Sequence, residues 1–243
     1  MSNTEVELTI IIPAYNEGQR IEKTVEAYVG YFASSFLGEF RILVVLNGCT
    51  DNTEEVVRKC CTDYSQVQYV NFQQKLGKGG AVIEGLKRAT GRWICFVDAD
   101  NMVEAQETAK LVRALQWYDV VIGSRWMAKD TLRVDRPLIR RVVSWIVRVV
   151  SRFLLRLHYL DTQCGSKALR SDALNHVVDD LSECGWAFDL DLLVCSENKG
   201  LKVHEIPIIW KHVAEGSKVH VLADFPRELS SLIRIWRKRY SNI

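Results

Sequence analysis

No stretch of this 243-residue chain reaches eighteen uncharged apolar residues, so no segment reads as a membrane-spanning helix. Met1 to Glu7 is polar and acidic rather than basic and apolar, and no secretory leader is expected there. Net charge is nearly absent as well. The 32 basic and 30 acidic residues leave +2, which argues against a general nucleic-acid binder. Low-complexity tracts and repeats of solenoid period are missing. The seven cysteines show neither metal-ligand spacing nor an even disulfide framework. Several lie in apolar runs, such as Cys95 between Ile94 and Phe96, and read as reduced core residues of an intracellular protein. One absence is local: Arg136 to Leu160 contains no acidic residue.

What the chain does contain is an alternation. Leu8 to Ile12 is β-branched and apolar and stops at Pro13, after which Ile21, Val25 and Tyr28 recur at helical spacing. The unit repeats as Ile42 to Leu46 then Thr53 to Val57, Val67 to Phe72 then Ala81 to Leu86, Arg92 to Val97 then Thr108 to Leu115, and finally Asp119 to Ile122. Such a pattern predicts an α/β domain: a mostly parallel central sheet with helices on both faces. The length suits one such domain spanning 1–243. A charged, irregular stretch from Arg125 to Pro137 divides a nucleotide-binding half, 1–124, from an acceptor-side half, 125–243.

The chemistry-bearing residues fall in the loops after the strands, where an open α/β sheet collects its ligands. The apolar run Trp93 to Val97 empties into Asp98-Ala99-Asp100, two carboxylates suited to Mg²⁺ or Mn²⁺, which in turn bridges a substrate diphosphate. After the first strand stands Pro13-Ala14-Tyr15-Asn16-Glu17, in which Tyr15 can stack on a base and Glu17 can accept from base or ribose. Asn47-Gly48-Cys49-Thr50-Asp51 follows the second. Leu76-Gly77-Lys78-Gly79-Gly80 follows the third, its glycines allowing close backbone approach and Lys78 offering charge to a phosphate. The spacing is not that of a P-loop. Each loop alone is ordinary turn chemistry; four at one sheet edge favour a nucleotide site.

With these segments in their order and spacing, the chain resembles the inverting glycosyltransferases of the GT-A fold, family 2, over nearly its whole length. Asp161-Thr162-Gln163-Cys164-Gly165, Trp186-Ala187-Phe188-Asp189 and Glu215-Gly216-Ser217-Lys218 look like the dolichyl-phosphate glucosyltransferase branch, kin of dolichyl-phosphate mannose synthases. The resemblance implies a GT-A, Rossmann-like fold and transfer of a hexose, foremost glucose from UDP-glucose, onto a polyprenyl or dolichyl phosphate. It implies that Pro13, Ala14, Tyr15, Glu17 and Asn47 or Asp51 hold the nucleoside. Asp98 and Asp100 would hold the metal and diphosphate, with Asn101 completing the metal's surroundings and Ala99 in the donor contact. The chain departs from the family at Leu46-Asn47, where paired acidic residues are usual, and at Ser166-Lys167, where an aromatic is common.

The acid-free segment supplies an acceptor side. Arg141, Arg148, Arg152 and Arg156 fall on one stripe of a helix over 138–157, and Val142, Ile146, Val149, Val150, Phe153 and Leu157 cover the opposite arc. That pattern predicts a helix lying in a membrane interface, and a basic helix over 225–240, with Leu229, Leu232, Ile233 and Trp236, is either a second contact or a basic, frayed carboxyl terminus. The expected location is cytoplasmic, peripherally on the cytoplasmic face of a membrane. An anionic acceptor beside an anionic donor needs cations and hydrogen-bond donors: Arg125 after the fifth strand and Lys218 first, then Arg140, Ser144, Lys167 and Ser217. Asp189 or Asp191, at the start of an apolar helix, is the natural general base for a hydroxyl acceptor, whereas a phosphate acceptor needs none, which leaves Asp189 as a sugar contact or a helix-start carboxylate. GDP-mannose or UDP-N-acetylhexosamine donors, or a soluble acceptor with Asp189 as base, are the alternatives within the fold. A nucleotidyltransferase would carry a Gly-x-Gly-Thr-Arg loop where this chain has Pro-Ala-Tyr-Asn-Glu, and the intact carboxylate pair argues against a silent scaffold.

Overall fold

The computed structural model describes residues 6–128, 149, 152–211 and 221–240, with side chains from 229 onward in the last segment. Four βα units open the chain: β1 (Leu8–Ala14), α1 (Ile21–Ser35), β2 (Phe40–Asn47), α2 (Thr53–Asp63), β3 (Val67–Phe72), α3 (Gly77–Leu86), β4 (Trp93–Phe96) and α4 (Ala105–Ala114). Then come β5 (Val120–Ser124), β6 (Lys167–Arg170), α5 (Ser171–Val177), α6 (Phe188–Asn198), β7 (Val203–Pro207) and α7 (Val221–Tyr240). The sheet runs β3-β2-β1-β4-β6-β5-β7. All neighbours pair parallel except β6, which is antiparallel to both β4 and β5.

Because side chains alternate along a strand, each buried strand feeds two cores. Leu8, Ile10 and Ile12 of β1 pack with α1, α2 and α4, while Ile11, Leu43, Ile94 and Phe96 face α3, α5 and α6 on the other side. The near-continuous apolar runs of β1, β2 and β4 are what a doubly covered sheet requires.

Pro13 does not end β1, contrary to the expectation from sequence; the strand continues to Ala14, with Pro13 paired to Val45 of β2. Ile11 gives its carbonyl to Val97 on the β4 side at 2.9 Å. Pro13 has the same parity, and β4 has already turned away there, so the missing N–H deprives the ladder of nothing. The glycine-rich segment is likewise not a free loop: Gly77-Lys78-Gly79-Gly80 forms the first turn of α3. Strands β6 and β7 lie beyond the five that alternation predicts. They are short, and in β7 only half buried, so neither carries a strong apolar pattern.

Of the helix predicted over 138–157, only residues 149 and 152–157 are described. Its end differs from expectation. The helix stops at Leu154, Arg156 takes a left-handed φ of 53°, and its guanidinium sits 5.3 Å from the Tyr240 ring, off the predicted stripe. Phe153 is 78% exposed, while Leu155 and Leu157 are buried in the core. Arg140, Arg141, Ser144, Arg148, Ser217 and Lys218 lie outside the described residues.

The basic tail is docked rather than frayed. Ile235 is fully buried, Arg234 forks onto Glu183 at 2.7 and 2.8 Å, Lys238 reaches Asp191, and Arg239 reaches Glu197. Leu229, Ile233 and Trp236, at i, i+4 and i+7, remain on an exposed stripe. No described helix is long and apolar enough to cross a membrane. The cysteines are free; Cys60, Cys95, Cys164 and Cys195 are buried as expected, but Cys184 is exposed and Cys49 and Cys61 are half-buried.

Candidate active site

The strand order turns back at β1 and β4, and the predicted loops meet at the carboxyl ends of these strands. Asp98 and Asp100 follow β4 directly. Asp100 Oδ1 accepts the Met102 N–H at 3.1 Å, yet burial, followed by the charge of Asp98, pushes its carboxyl above the ordinary range. Asn101, next in the chain, is held at φ 53° with its Oδ1 buried and without a hydrogen-bond partner. Two carboxylates, one of them disfavoured as an anion, and an orphaned amide oxygen form a hard-oxygen donor set that fits Mg²⁺ or Mn²⁺. No group of three His, Cys, Asp or Glu side chains is arranged to hold a metal ion among the described residues, so remaining ligands would be water and diphosphate oxygens.

Helix α1 braces this loop from behind: Thr24 Oγ1 donates to the Ala99 carbonyl and the Tyr28 hydroxyl to that of Val103, each at 2.8 Å. Sequence reasoning missed both. The available signal was their i, i+4 placement on the buried stripe of the helix, where a polar tip needs a partner.

Lys78 lies across the carboxylates. Its ammonium is 2.7 Å from Asp98 Oδ1 and 5.3 Å from the Trp186 ring. Burial alone would lower its pKa, but Asp98, Asp189 and Asp100 together hold it above the usual lysine value. The backbone beneath it is fixed on two sides. Gly80 N–H donates to the Cys184 carbonyl at 3.1 Å, and a Cβ on Gly79 would lie 2.3 Å from the Glu183 carbonyl oxygen, so only glycine permits this approach.

On the other side stands Asn47, expected to meet the nucleoside. It is instead buried with both ends of its amide engaged, accepting from Leu76 N–H at 2.6 Å and donating to the Gly77 carbonyl at 3.1 Å. An asparagine can do both; the acidic residue usual in the family can only accept.

Ala14 is buried at the tip of β1 and Pro13 is half-buried before it. The Tyr15 ring lies 4.0 Å below the Lys75 ammonium. Glu17 pairs with Arg20 at 2.6 Å, and its backbone N–H donates to Thr53 Oγ1 at 2.7 Å. Asp51 accepts from the N–H groups of Thr53 and Gly18 at 3.0 and 3.3 Å. Glu17 and Asp51 thus tie the first two loops together around the start of α2.

Beyond β5 the cations find internal partners. Arg125 forks onto Asp161, Nε to Oδ2 at 2.7 Å and Nη2 to Oδ1 at 2.8 Å, while its backbone N–H also donates to Oδ2 at 3.0 Å. Burial opposes both charges, but the pairing prevails, holding Asp161 below and Arg125 above their ordinary values. Lys167, a candidate for the acceptor phosphate, is fully buried; it pairs with Asp189 and donates to the Cys164 carbonyl at 2.7 Å. Asp191 accepts from the N–H groups of Ser182 and Glu183 and pairs with Lys238, which makes it structural.

Sequence reasoning named Asp161 and Gly165 only as part of a motif. Because β6 is antiparallel, Lys167 sits opposite Phe96, and the residues just before it arrive beside Asp98. A Cβ on Gly165 would fall 1.8 Å from Asp98 Oδ2.

A family model described as Glycosyl transferase family 2 matches residues 9–178 of this chain. The chain belongs to glycosyl transferase family 2. As a family 2 transferase it is 30% identical over 234 residues to "Glycosyltransferase AglD" of Haloferax volcanii, covering 95% of this chain and 37% of that protein. It is 29% identical over 250 residues to "Dolichyl-phosphate beta-glucosyltransferase" of Saccharomyces cerevisiae, covering 95% and 74%. Thus it spans just over a third of the archaeal relative and about three quarters of the yeast one. The GT-A fold is shared with glucosyl-3-phosphoglycerate synthase of Mycobacterium tuberculosis, solved with Mn²⁺, UDP-glucose and phosphoglyceric acid; the TM-score is 0.70 at 19% identity, covering 96% of this family 2 transferase and 79% of that chain.

Proposed function

We propose that this family 2 glycosyltransferase moves glucose from UDP-glucose onto a dolichyl or related polyprenyl phosphate, with inversion, in a reaction that needs Mg²⁺ or Mn²⁺. The observation that carries the choice of acceptor is the buried Lys167–Asp189 pair. Of the two carboxylates that sequence offered as general base, Asp189 is screened from solvent and paired with this ammonium, and Asp191 is buried and paired with Lys238. Such a group is poorly placed to take a proton from a hydroxyl, whereas a phosphate acceptor is already ionised. The yeast relative's name supports the same substrate class.

Asp98, Asp100 and Asn101 would hold the metal, which when bound draws off negative charge from the departing diphosphate. Pro13, Ala14, Tyr15, Glu17 and Ala99 line the nucleoside end of the 1–124 half. Lys78 turns its charge to the diphosphate. Arg125 acts by holding Asp161, and with it the 161–165 turn, against the carboxylate loop. Phe153, Leu229, Ile233 and Trp236, with exposed Arg152 and Arg237 among them, favour peripheral contact of the 125–243 half with the cytoplasmic face of a membrane.

The test is transfer of radiolabelled sugar from UDP-glucose, beside GDP-mannose and UDP-N-acetylglucosamine, into an organic-extractable product with dolichyl phosphate and Mn²⁺. Label from UDP-glucose, lost with EDTA and in Asp100→Ala, is the expected result. Label from another donor corrects the sugar. Transfer only to a water-soluble acceptor overturns the lipid assignment and returns Asp189 to the role of base.

A further inference from the structure

The carboxylate pair already carries a cation of its own. Lys78 Nζ is 2.7 Å from Asp98 Oδ1, at ion-pair distance on a carboxylate that the metal reading assigns to the divalent ion. Its side chain is 18% exposed and that of Asp98 38%, so the pair is partly screened from water and partly open to it. The lysine's backbone cannot yield: Asn47 grips Leu76 and Gly77 from one side, and the 183–185 segment packs on Gly79 and Gly80 from the other. Only the flexible side chain moves. Its ammonium rests near the Trp186 face, on a side chain that rises from the glycine-rich turn to which phosphate oxygens would come.

We infer that Lys78 is a placeholder cation: it neutralises Asp98 until ligands arrive, so a divalent ion binds well only when a nucleoside diphosphate draws the ammonium away. A metal entering alone must displace the lysine from Asp98 and leave both cations crowded at one carboxylate pair. A metal arriving with a diphosphate meets no such conflict, because the phosphate oxygens take over the ammonium. The two ligands are therefore coupled, and by linkage each strengthens the other by the same factor. The consequence for the enzyme is that metal and donor load together, and Lys78 is a positioning residue for both. This inference rests on the assignment of Asp98 and Asp100 as metal ligands.

The experiment is titration of the full chain with Mn²⁺, free ion followed by electron paramagnetic resonance, with and without saturating UDP. Wild type, Lys78→Met and Lys78→Gln are compared, and circular dichroism melting verifies that each variant is folded. In wild type, UDP should tighten Mn²⁺ binding by at least about tenfold, the usual size of strong coupling. In both Lys78 variants, Mn²⁺ alone should bind about tenfold more tightly than to wild type, and the enhancement by UDP should shrink by a similar factor, leaving what direct coordination by the diphosphate supplies. Unchanged or weaker Mn²⁺ binding by the folded variants without UDP overturns the placeholder while leaving the metal site standing. No Mn²⁺ binding by wild type even with UDP overturns the metal reading and the placeholder with it.

Discussion

Gly165→Ala separates what this site needs from what the fold needs. A methyl group at 165 would meet Asp98 Oδ2 at 1.8 Å, Cγ at 2.4 Å and Oδ1 at 3.0 Å, so the carboxylate must leave its place. It can do so cheaply, since the clashing atoms are the end of a partly exposed side chain. The cost in stability is chiefly the Lys78–Asp98 pair, about 0.2–1 kcal/mol for a pair open to solvent. Gly165 is not among the residues with positive φ, so alanine fits the backbone and restricts the unfolded chain, which returns about 0.4–1 kcal/mol. The two nearly cancel, and Tm should move by no more than about 4 °C. Function should behave otherwise. With the first carboxylate displaced by an ångström or more, sugar transfer should fall about 100-fold or further, and Mn²⁺ binding in the presence of UDP should weaken with it. Calorimetry beside a transfer assay reads both. Activity within about threefold of wild type would refute the claim that the missing Cβ at 165 makes room for Asp98; a large loss of Tm would instead show that the 161–165 turn is rigid enough to shift first.

Other perturbations test the buried charges and the outer face. Asp161→Asn leaves the Arg125 guanidinium half-paired and should cost about 3 kcal/mol. Since pairing lowers the Asp161 pKa in the folded state, its contribution is present above the unfolded value near 3.9 and lost as pH falls through the folded one. The stability gap between wild type and variant in urea melts should therefore be flat from about pH 5 to 8 and close below about pH 4. Lys167→Met strands Asp189 in the core and should cost about 3–5 kcal/mol, most of it recovered in Lys167→Met with Asp189→Leu. A double variant no more stable than the single one would mean that the cost lies in packing. Replacing Ile233 and Trp236, both exposed, by Asp should abolish sedimentation with anionic liposomes while leaving Tm within about 2 °C; undiminished sedimentation would count against α7 as a membrane contact.

The sequence alone determined the βα alternation and hence the doubly covered sheet, because Leu8–Ile12, Ile42–Leu46 and Trp93–Val97 are apolar on both faces and helical spacing follows each. Through the rule that ligands gather at the carboxyl ends of strands, it also placed Asp98 and Asp100 in the site. Asn101 was legible as a neighbour of that pair, though not as an orphaned oxygen. What only the tertiary structure decided is which charges face the site and which are spent inside the protein. Lys167, Arg125 and Asp189 all look available in a linear reading, but two antiparallel pairings of the four-residue β6 bury Lys167 and bring Asp161 and Gly165 to their partners. The partners lie far apart in sequence: Arg125 is 36 residues from Asp161, and Lys167 is 22 from Asp189. No local pattern encodes such a meeting. It follows from strand order and direction, which are set by how both faces of the whole sheet are covered.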